Sequence, residues 1–314
     1  MYNIPLIIIK EKILKEFFLG IDIGGTNIKS GVIDKNGKII KEQINKTEKD
    51  SIEIFYNNIN NIISHYKDRY NIKKIGIGFP ALIDYKRGMI LKAPNLKILD
   101  NSEYKYITDK NHKIYIDNDA NFAAYGEYSI LDKTLRDKIN TMLFITLGSG
   151  LGTGIIIKGD IYHGAKNFIE GGHIIINPEG NDCACGSYGC IESEVSSTGI
   201  KRYYKKIAGI DVSDPIEIYK KGEKGEASAL KTFDNFAYYL GIGLASYNNL
   251  LNPNMIIIGG GLSNFSNLFI DKSKKILSER SYIYEYYKPD IRLSKLMNKA
   301  GFYGAACYAR DKND

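Results

Sequence analysis

Four residues carry the ligand chemistry of a borderline metal at short spacing. They are His173, Cys183, Cys185 and Cys190, in the stretch EGGHIIINPEGNDCACGSYGCIE over residues 170–192. One imidazole and three thiolates are enough to close a tetrahedral structural zinc site. Gly180, Asn181, Asp182, Gly186 and Gly189 lie around them. A chain that wraps one ion with four nearby side chains needs such permissive, turn-forming residues. Glu170 and Glu192 bracket the stretch. The metal does not require them, so they are candidates for a surface that faces a substrate. The chain has four Cys, three of them clustered here. That clustering speaks for metal in a reducing compartment over a disulfide framework. Cys307, in GAACYA, reads as a small buried hydrophobe.

Three glycine turns offer a second kind of chemistry. The first is Asp22–Ile23–Gly24–Gly25–Thr26–Asn27–Ile28–Lys29. Glycines let backbone N–H groups approach phosphate oxygens, Thr26 adds a hydroxyl donor, and Asp22 could hold Mg²⁺ through water. Taken alone, such a turn is equally well a plain Gly-Gly hairpin. The second, from Leu147 through Gly148, Ser149, Gly150 and Gly152 to Gly154, has four alternating glycines but lacks the lysine and spacing of a P-loop. The third, Gly259–Gly260–Gly261, follows a buried apolar run and could let a flat nucleoside approach the backbone. Three such turns at three strand ends reduce the weight of coincidence.

Asp117–Asn118–Asp119 closes another apolar run and opens a helical one. One of the three suffices as a helix cap. A carboxylate at a strand end also suits a general base that deprotonates a hydroxyl nucleophile. His65, His112 and His163 read as surface or packing residues.

The elements that must position these groups follow from periodicity. Residues 1–16 read as a short extension of mixed polarity. Phe17 to Ile23 is a strand, Ile28 to Ile33 a second, and the turn Lys35–Lys38 leads to Ile39–Ile40. Ser51 caps a helix to Tyr66, with Ile52, Ile54, Phe55, Ile59, Ile62, Ile63 and Tyr66 on its apolar stripe. Residues 74–79 and 114–116 are buried strands, and Ala120 to Tyr128 is a helix. The opening then repeats: strand Met142 to Leu147, turn Gly148 to Gly154, strand Ile155 to Lys158, and a strand at Ile161–Tyr162. Two copies of one opening suggest two related α/β domains. The remainder is expected to be mostly helical, with Gly199 to Ala208, Asp214 to Lys221, Ala227 to Leu251 and Lys299 to Arg310 as helices and Met255 to Ile258 as one buried strand.

Composition sets bounds. Hydrophobic residues make up 44% of the 314 and charged residues 25%, as in ordinary globular proteins. No apolar run is long enough to span a bilayer. Charges among the first 18 residues break up any secretory segment, so a cytoplasmic location and no membrane partner are expected. The net charge of +7 comes from scattered lysines without a basic stripe or recognisable module, which argues against nucleic acid.

Together these motifs resemble the repressor–open-reading-frame–kinase (ROK) family of sugar kinases, within the actin-like ATPase superfamily. The resemblance runs from about Phe17 to the end. It rests on IDIGGTNIK, GFPALID with APNL, IDNDAN, ITLGSGLGTGIIIKGDIYHGA, Glu170–His173, CACGSYGCIE and NPNMIIIGGGLS. It implies two actin-like, ribonuclease H-like α/β domains with a cleft between them. Residues 1–119 plus 300–314 would form the smaller domain, with the last helix packing back, and 120–299 the larger one with the zinc loop 173–190. It implies Asp119 as catalytic base and Asn118, Asp119, Glu170, His173 and Glu192 as sugar contacts. His173, Cys183, Cys185 and Cys190 match the structural zinc. Asp22, Gly24, Gly25, Thr26, Gly148 and Ser149 match the phosphate loops, with Lys29 and Gly150 in the same turns, and Gly259 to Gly261 the adenosine motif. ATP, Mg²⁺ and zinc follow as cofactors, and a homodimer or homotetramer as the assembly. Ile169, Gly171 and Ala81 depart from the family pattern, and Ser149 replaces the commoner Thr.

The expected activity is ATP-dependent phosphorylation of a hexose 6-hydroxyl, with glucose as acceptor. The alternatives are an N-acetylmannosamine or N-acetylglucosamine kinase and a sugar-sensing regulator without catalysis. The family's repressors carry an N-terminal helix-turn-helix. The short stretch before Phe17 favours the kinase.

Overall fold

The computed structural model describes residues 15–107, 109, 111–166 and 168–313. The extension expected over residues 1–16 lies outside this range up to residue 14.

The strand Phe17–Ile23 is buried along nearly its whole length. A run of branched and aromatic side chains without alternation belongs inside a sheet covered on both faces. It pairs antiparallel with Asn27–Asp34 and parallel with Ile72–Phe79. Ile39–Lys46 extends the sheet beyond Asn27–Asp34, and Lys113–Asn118 forms the opposite edge. The same design recurs later. Thr141–Leu147 pairs antiparallel with Leu151–Ile157 and parallel with Met255–Gly259, which in turn pairs parallel with Asp290–Leu293. The repeated opening in the sequence is thus a repeated sheet.

The chain forms two compact units. One comprises Met1–Asp132, Asp160–Phe168 and Asn298–Asp314, and the other Lys133–Gly159 and Ile169–Met297. Each has its own core. In the first, Leu19, Ile21, Ile75 and Ile77 of the sheet join Phe55, Ile59 and Tyr66 of the helix Ile52–Lys67. In the second, Leu143, Ile145, Ile256 and Ile258 join Phe233, Phe236, Leu240 and Leu244 of the helix Ala227–Leu251. Ser51 caps its helix by accepting from the Ile54 amide at 3.1 Å. Ile54, expected on the buried stripe, is 45% exposed. Among the described residues no helix is long and apolar enough to cross a membrane.

Two expectations change in detail. The second glycine turn is only Gly148–Gly150, because Leu151–Gly154 continues as strand, paired with Phe144–Leu147. Gly171 and Gly172 lie against that strand: a β-carbon on Gly172 would stand 2.1 Å from the Leu151 carbonyl oxygen. A small three-stranded sheet, Leu82–Asp84, Met89–Lys92 and Ser102–Glu103, and the strand Asp290–Leu293 were not expected. These strands are only two to four residues long, too short for a periodicity to show.

The helix Ala300–Asp311 completes the first unit. It lies directly on the sheet at glycines: a β-carbon on Gly20 would stand 1.8 Å from the Phe302 carbonyl oxygen, and one on Gly76 2.1 Å from that of Ala305. Gly304 meets the helix Asp119–Ser129, where a β-carbon would stand 1.6 Å from the Phe122 carbonyl oxygen. Backbone cannot yield as a flexible side chain does. Gly304→Ala is therefore expected to destabilise the protein by about 3 kcal/mol, read as a lowered denaturation midpoint against an alanine control at exposed Gly261, where a β-carbon would meet nothing within 4 Å.

Candidate active site

In the first unit the groups gather at strand ends. At the first turn Gly24 N donates to Asn27 O at 2.9 Å. The turn's carbonyls are engaged by neighbours. Thr47 Oγ1 donates to Gly24 O at 2.7 Å, Lys49 Nζ to Gly25 O at 3.3 Å and Thr47 N to Thr26 O at 2.9 Å. The amides of Gly25 and Thr26 and the Thr26 hydroxyl have no partner among the described residues. They are the donors an anion would meet.

Asp22 and Lys29 face each other across the first two strands. A β-carbon on Gly301 would stand 2.4 Å from Asp22 Cγ, so the carboxyl is hemmed in by the last helix. Desolvation pushes Asp22 from the ordinary 3.8 up to about 6, with Lys29 opposing. The charged form thus costs more in the folded protein than in the unfolded chain. That cost is absent below pH 3.8, grows as pH rises to about 6, and is constant above. In buffer free of metal and nucleotide, Asp22→Asn is expected to gain stability relative to wild type across this window and to stay level above it. Denaturation midpoints at several pH values check this.

Asn118 is the N-cap of the helix Asp119–Ser129. Its Oδ1 and Asp119 Oδ1 each accept from Ala120 N at 2.9 Å, and Asn118 Nδ2 donates to Ala81 O at 3.4 Å. Asp119 is half-buried in the first turn of the helix. Asp117, which also read as a possible cap, is buried and fixes the turn from beneath. Its Oδ1 accepts from Asn118 N at 2.6 Å and from Asn121 Nδ2 at 2.8 Å, and its Oδ2 lies 2.6 Å from His163 Nε2. His163 read as a surface or packing residue. Only the fold brings it to Asp117, 46 positions away.

In the second unit, the turn Gly148–Gly150 is closed by Gly148 N donating to Gly150 O at 2.9 Å and is tied down by Ser197 N donating to Gly148 O at 2.8 Å. Ser149 is exposed. Gly260 has φ +82, and a β-carbon there would stand 2.3 Å from Leu147 O, so the third turn lies against the strand that enters the second. A β-carbon on Gly148 or Gly261 would meet nothing within 4 Å. Both turns therefore leave open space beside backbone, as a nucleotide needs. Gly259 ends the strand and packs on Phe144.

The four metal-ligand candidates converge. Their ligand atoms all lie within 4.8 Å of one another. Cys183 Sγ is 3.5 Å from His173 Nδ1, and Cys185 Sγ is 3.7 Å from Cys190 Sγ. Zinc bonds of about 2.3 Å to sulfur and 2.0–2.1 Å to nitrogen give tetrahedral edges of about 3.5 Å for an N–S pair and 3.8 Å for an S–S pair. These residues fit zinc. Glycines make the wrap: Gly186 has φ +97 and Gly189 φ +69, and Cys183 N donates to Ser187 O at 2.8 Å.

Glu194, unremarked in the sequence, buttresses the loop. Fully buried, it accepts from Asn181 N at 2.8 Å and Asn181 Nδ2 at 2.7 Å, and from the Tyr203 hydroxyl. Its signal was a second acid in CIESE, hidden beside Glu192.

Glu192 joins two parts of the site. Its Oε2 accepts from Leu151 N at 2.9 Å, directly after the second glycine turn, while its Oε1 lies 3.8 Å from Cys183 Sγ. Glu170 reaches the surface. Desolvation by the surrounding loop raises its carboxyl above the ordinary value, His173 opposes this, and Glu192 adds to it. Gly171 departs from the family pattern for a local reason. Its amide donates to Thr153 Oγ1 at 3.1 Å, and a β-carbon would stand 2.6 Å from that oxygen.

Two sheets of one design, each with glycine turns at its strand ends, make this an actin-like ATPase fold. The chain belongs to the ROK family, whose model matches residues 18–312. It is 31% identical over 323 residues to a glucokinase of Halalkalibacterium halodurans, covering 95% of this chain and 96% of that one. It is 34% identical over 244 residues to a xylose repressor of Caldicellulosiruptor bescii, covering 73% of this chain and 60% of that one. A solved structure of a ROK family glucokinase from Streptomyces griseus, in complex with glucose and AMPPNP, matches with a TM-score of 0.80 at 30% identity, over 94% of this chain and all of that one.

Proposed function

We propose that this chain is an ATP-dependent sugar kinase that transfers the γ-phosphoryl group to the 6-hydroxyl of a hexose, glucose first. The glucokinase relatives and the glucose and AMPPNP bound to the Streptomyces griseus structure support an ATP-dependent sugar kinase. The observation that carries the mechanism is the placement of Asp119 in the first turn of a helix, on a turn locked by Asp117 and Asn118. Asp119 takes the proton from the hydroxyl, whose oxygen forms the new bond to phosphorus as the bond to the ADP leaving group breaks. Asn118, Glu170, His173 and Glu192 hold the other sugar hydroxyls. The donors of the Gly24–Thr26 and Gly148–Gly150 turns take the phosphates, and the open face at Gly261 takes the nucleoside. Mg²⁺, when bound, would offset phosphate charge, and Asp22 is the residue that would hold it through water.

We assign the His173, Cys183, Cys185 and Cys190 cluster to structural zinc. His173 would bind it through Nδ1, the atom beside Cys183, which leaves Nε2 for a sugar hydroxyl and fixes its tautomer. A cytoplasmic setting suits three reduced thiols. The repressor relative supports a second reading, a sugar-sensing regulator without turnover. A coupled assay of the purified chain, with ATP and a panel of glucose, mannose, N-acetylmannosamine and N-acetylglucosamine, decides. Glucose should give the highest kcat/KM. A preferred N-acetylhexosamine overturns the acceptor, and no turnover with any sugar overturns the kinase.

A further inference from the structure

The first unit's sheet ends at the strand Lys113–Asn118. Proteins cover or blunt such edges, because unpaired backbone groups recruit other chains. Here the strand is one wall of a cavity of about 780 Å³, a volume typical of small-molecule sites. Residues 114–117 line it from the strand, 84–87 from the tip of a hairpin, 163–166 and 168 from a loop, and Tyr308 from the helix Ala300–Asp311. None of the residues assigned to sugar, nucleotide or zinc lines it.

Its walls combine two chemistries. Tyr85, Tyr104, Phe168 and Tyr308 supply rings, and Tyr85 meets the His163 ring edge-on with centroids 5.8 Å apart. Lys86, Arg87 and Lys166 supply cations, and none of these three side chains has a hydrogen-bond or ion-pair partner among the described residues. The carboxylates present are already engaged. Asp84 Oδ1 accepts from Arg87 N at 3.1 Å, and Asp117 is held by His163, Asn118 and Asn121. Uncommitted guanidinium and ammonium groups recognise phosphate oxygens, and ring faces cover an apolar or ring-shaped body.

We propose that this cavity binds a phosphate monoester carrying a ring, and that its occupancy is felt at Asp119. The route is short. His163 lines the cavity and holds Asp117, which holds the amide of Asn118, the cap of the helix that begins at Asp119. A bound phosphate that draws His163 away loosens that turn and slows turnover. The effect on turnover rests on the proposed kinase activity, but the binding does not.

Two sources share this chemistry: a hexose phosphate, such as the reaction's own product, and a nucleoside monophosphate. Calorimetric titration of the full chain with glucose 6-phosphate, AMP and inorganic phosphate separates them. The chains compared are wild type, the double variant Arg87→Gln/Lys166→Gln, and Asp119→Asn. One ester should bind wild type and Asp119→Asn alike, at least tenfold more tightly than it binds the double variant and than inorganic phosphate binds wild type. The same ester should lower kcat of wild type and not of the double variant. Equal ester affinity in wild type and the double variant, inorganic phosphate binding as tightly as either ester, or no ester binding overturns the site. Binding without an effect on kcat overturns the coupling. The double variant lies outside the catalytic machinery and should phosphorylate sugar normally in the absence of ester. Turnover by both chains without ester binding therefore refutes the cavity alone, whereas no turnover by wild type refutes the kinase.

Discussion

Asp119→Asn is expected to lose about a thousandfold in kcat for sugar phosphorylation, the range of a missing general base, while sugar KM changes only a few-fold. The substitution suits the question because Asn keeps the shape and an acceptor oxygen. Asp119 Oδ1 and Asn118 Oδ1 both accept from Ala120 N, so the helix start survives if one of them changes. Asp117 still fixes the turn from beneath. What the proposed base loses is the capacity to receive the hydroxyl proton. A coupled assay measures kcat, and an unchanged denaturation midpoint shows that the fold is intact. Normal turnover by this variant would remove Asp119 from the mechanism.

Zinc removal is expected to have the second large effect. Metal analysis should find one zinc per chain, and Cys185→Ser should abolish it. Cys185 is exposed, so the substitution opens no cavity and its cost reports the metal. Three thiols and an imidazole within 4.8 Å have little reason to stay together without a cation. The loss is expected to exceed about 4 kcal/mol of stability and to raise sugar KM by at least about tenfold, because the proposed assignment makes His173 both ligand and sugar contact. Nucleotide KM should rise less, but it should rise. Glu192 Oε2 holds the Leu151 amide after the Gly148–Gly150 turn, so a slack loop loosens that turn too. A zinc-free chain with full stability and full sugar affinity would refute the assignment.

Local chemistry was legible where few residues act at close spacing. The convergence of His173, Cys183, Cys185 and Cys190, the glycine turns and the strand–turn–helix at Asp119 could be read directly, since each is built within about 20 residues. The repeated sheet was legible because the same run of strand, glycine and strand occurs twice. What escaped depends on distance in the chain. His163 reaches Asp117 only after the loop folds back. Glu192 read as a sugar contact, yet its bond to Leu151 depends on a strand 41 positions away. Glu194 was invisible because burial, not sequence, makes it a buttress. The turn at Gly148 was read too long, since a glycine in a ladder looks the same on paper as a glycine in a turn.

The seat of the helix Ala300–Asp311 on Gly20 and Gly76 of the sheet bears on how the chain is made. Its partner strands leave the ribosome early, while the helix emerges only after Lys133–Met297. At about 5–20 residues per second, that is roughly 10–30 s of translation with the first sheet bare on the face this helix covers. The second unit, begun later, has all its parts sooner. The part of the molecule synthesised first is thus the last to be completed, and nascent chains stalled before residue 300 should show protease resistance in the second unit while the first is still cut.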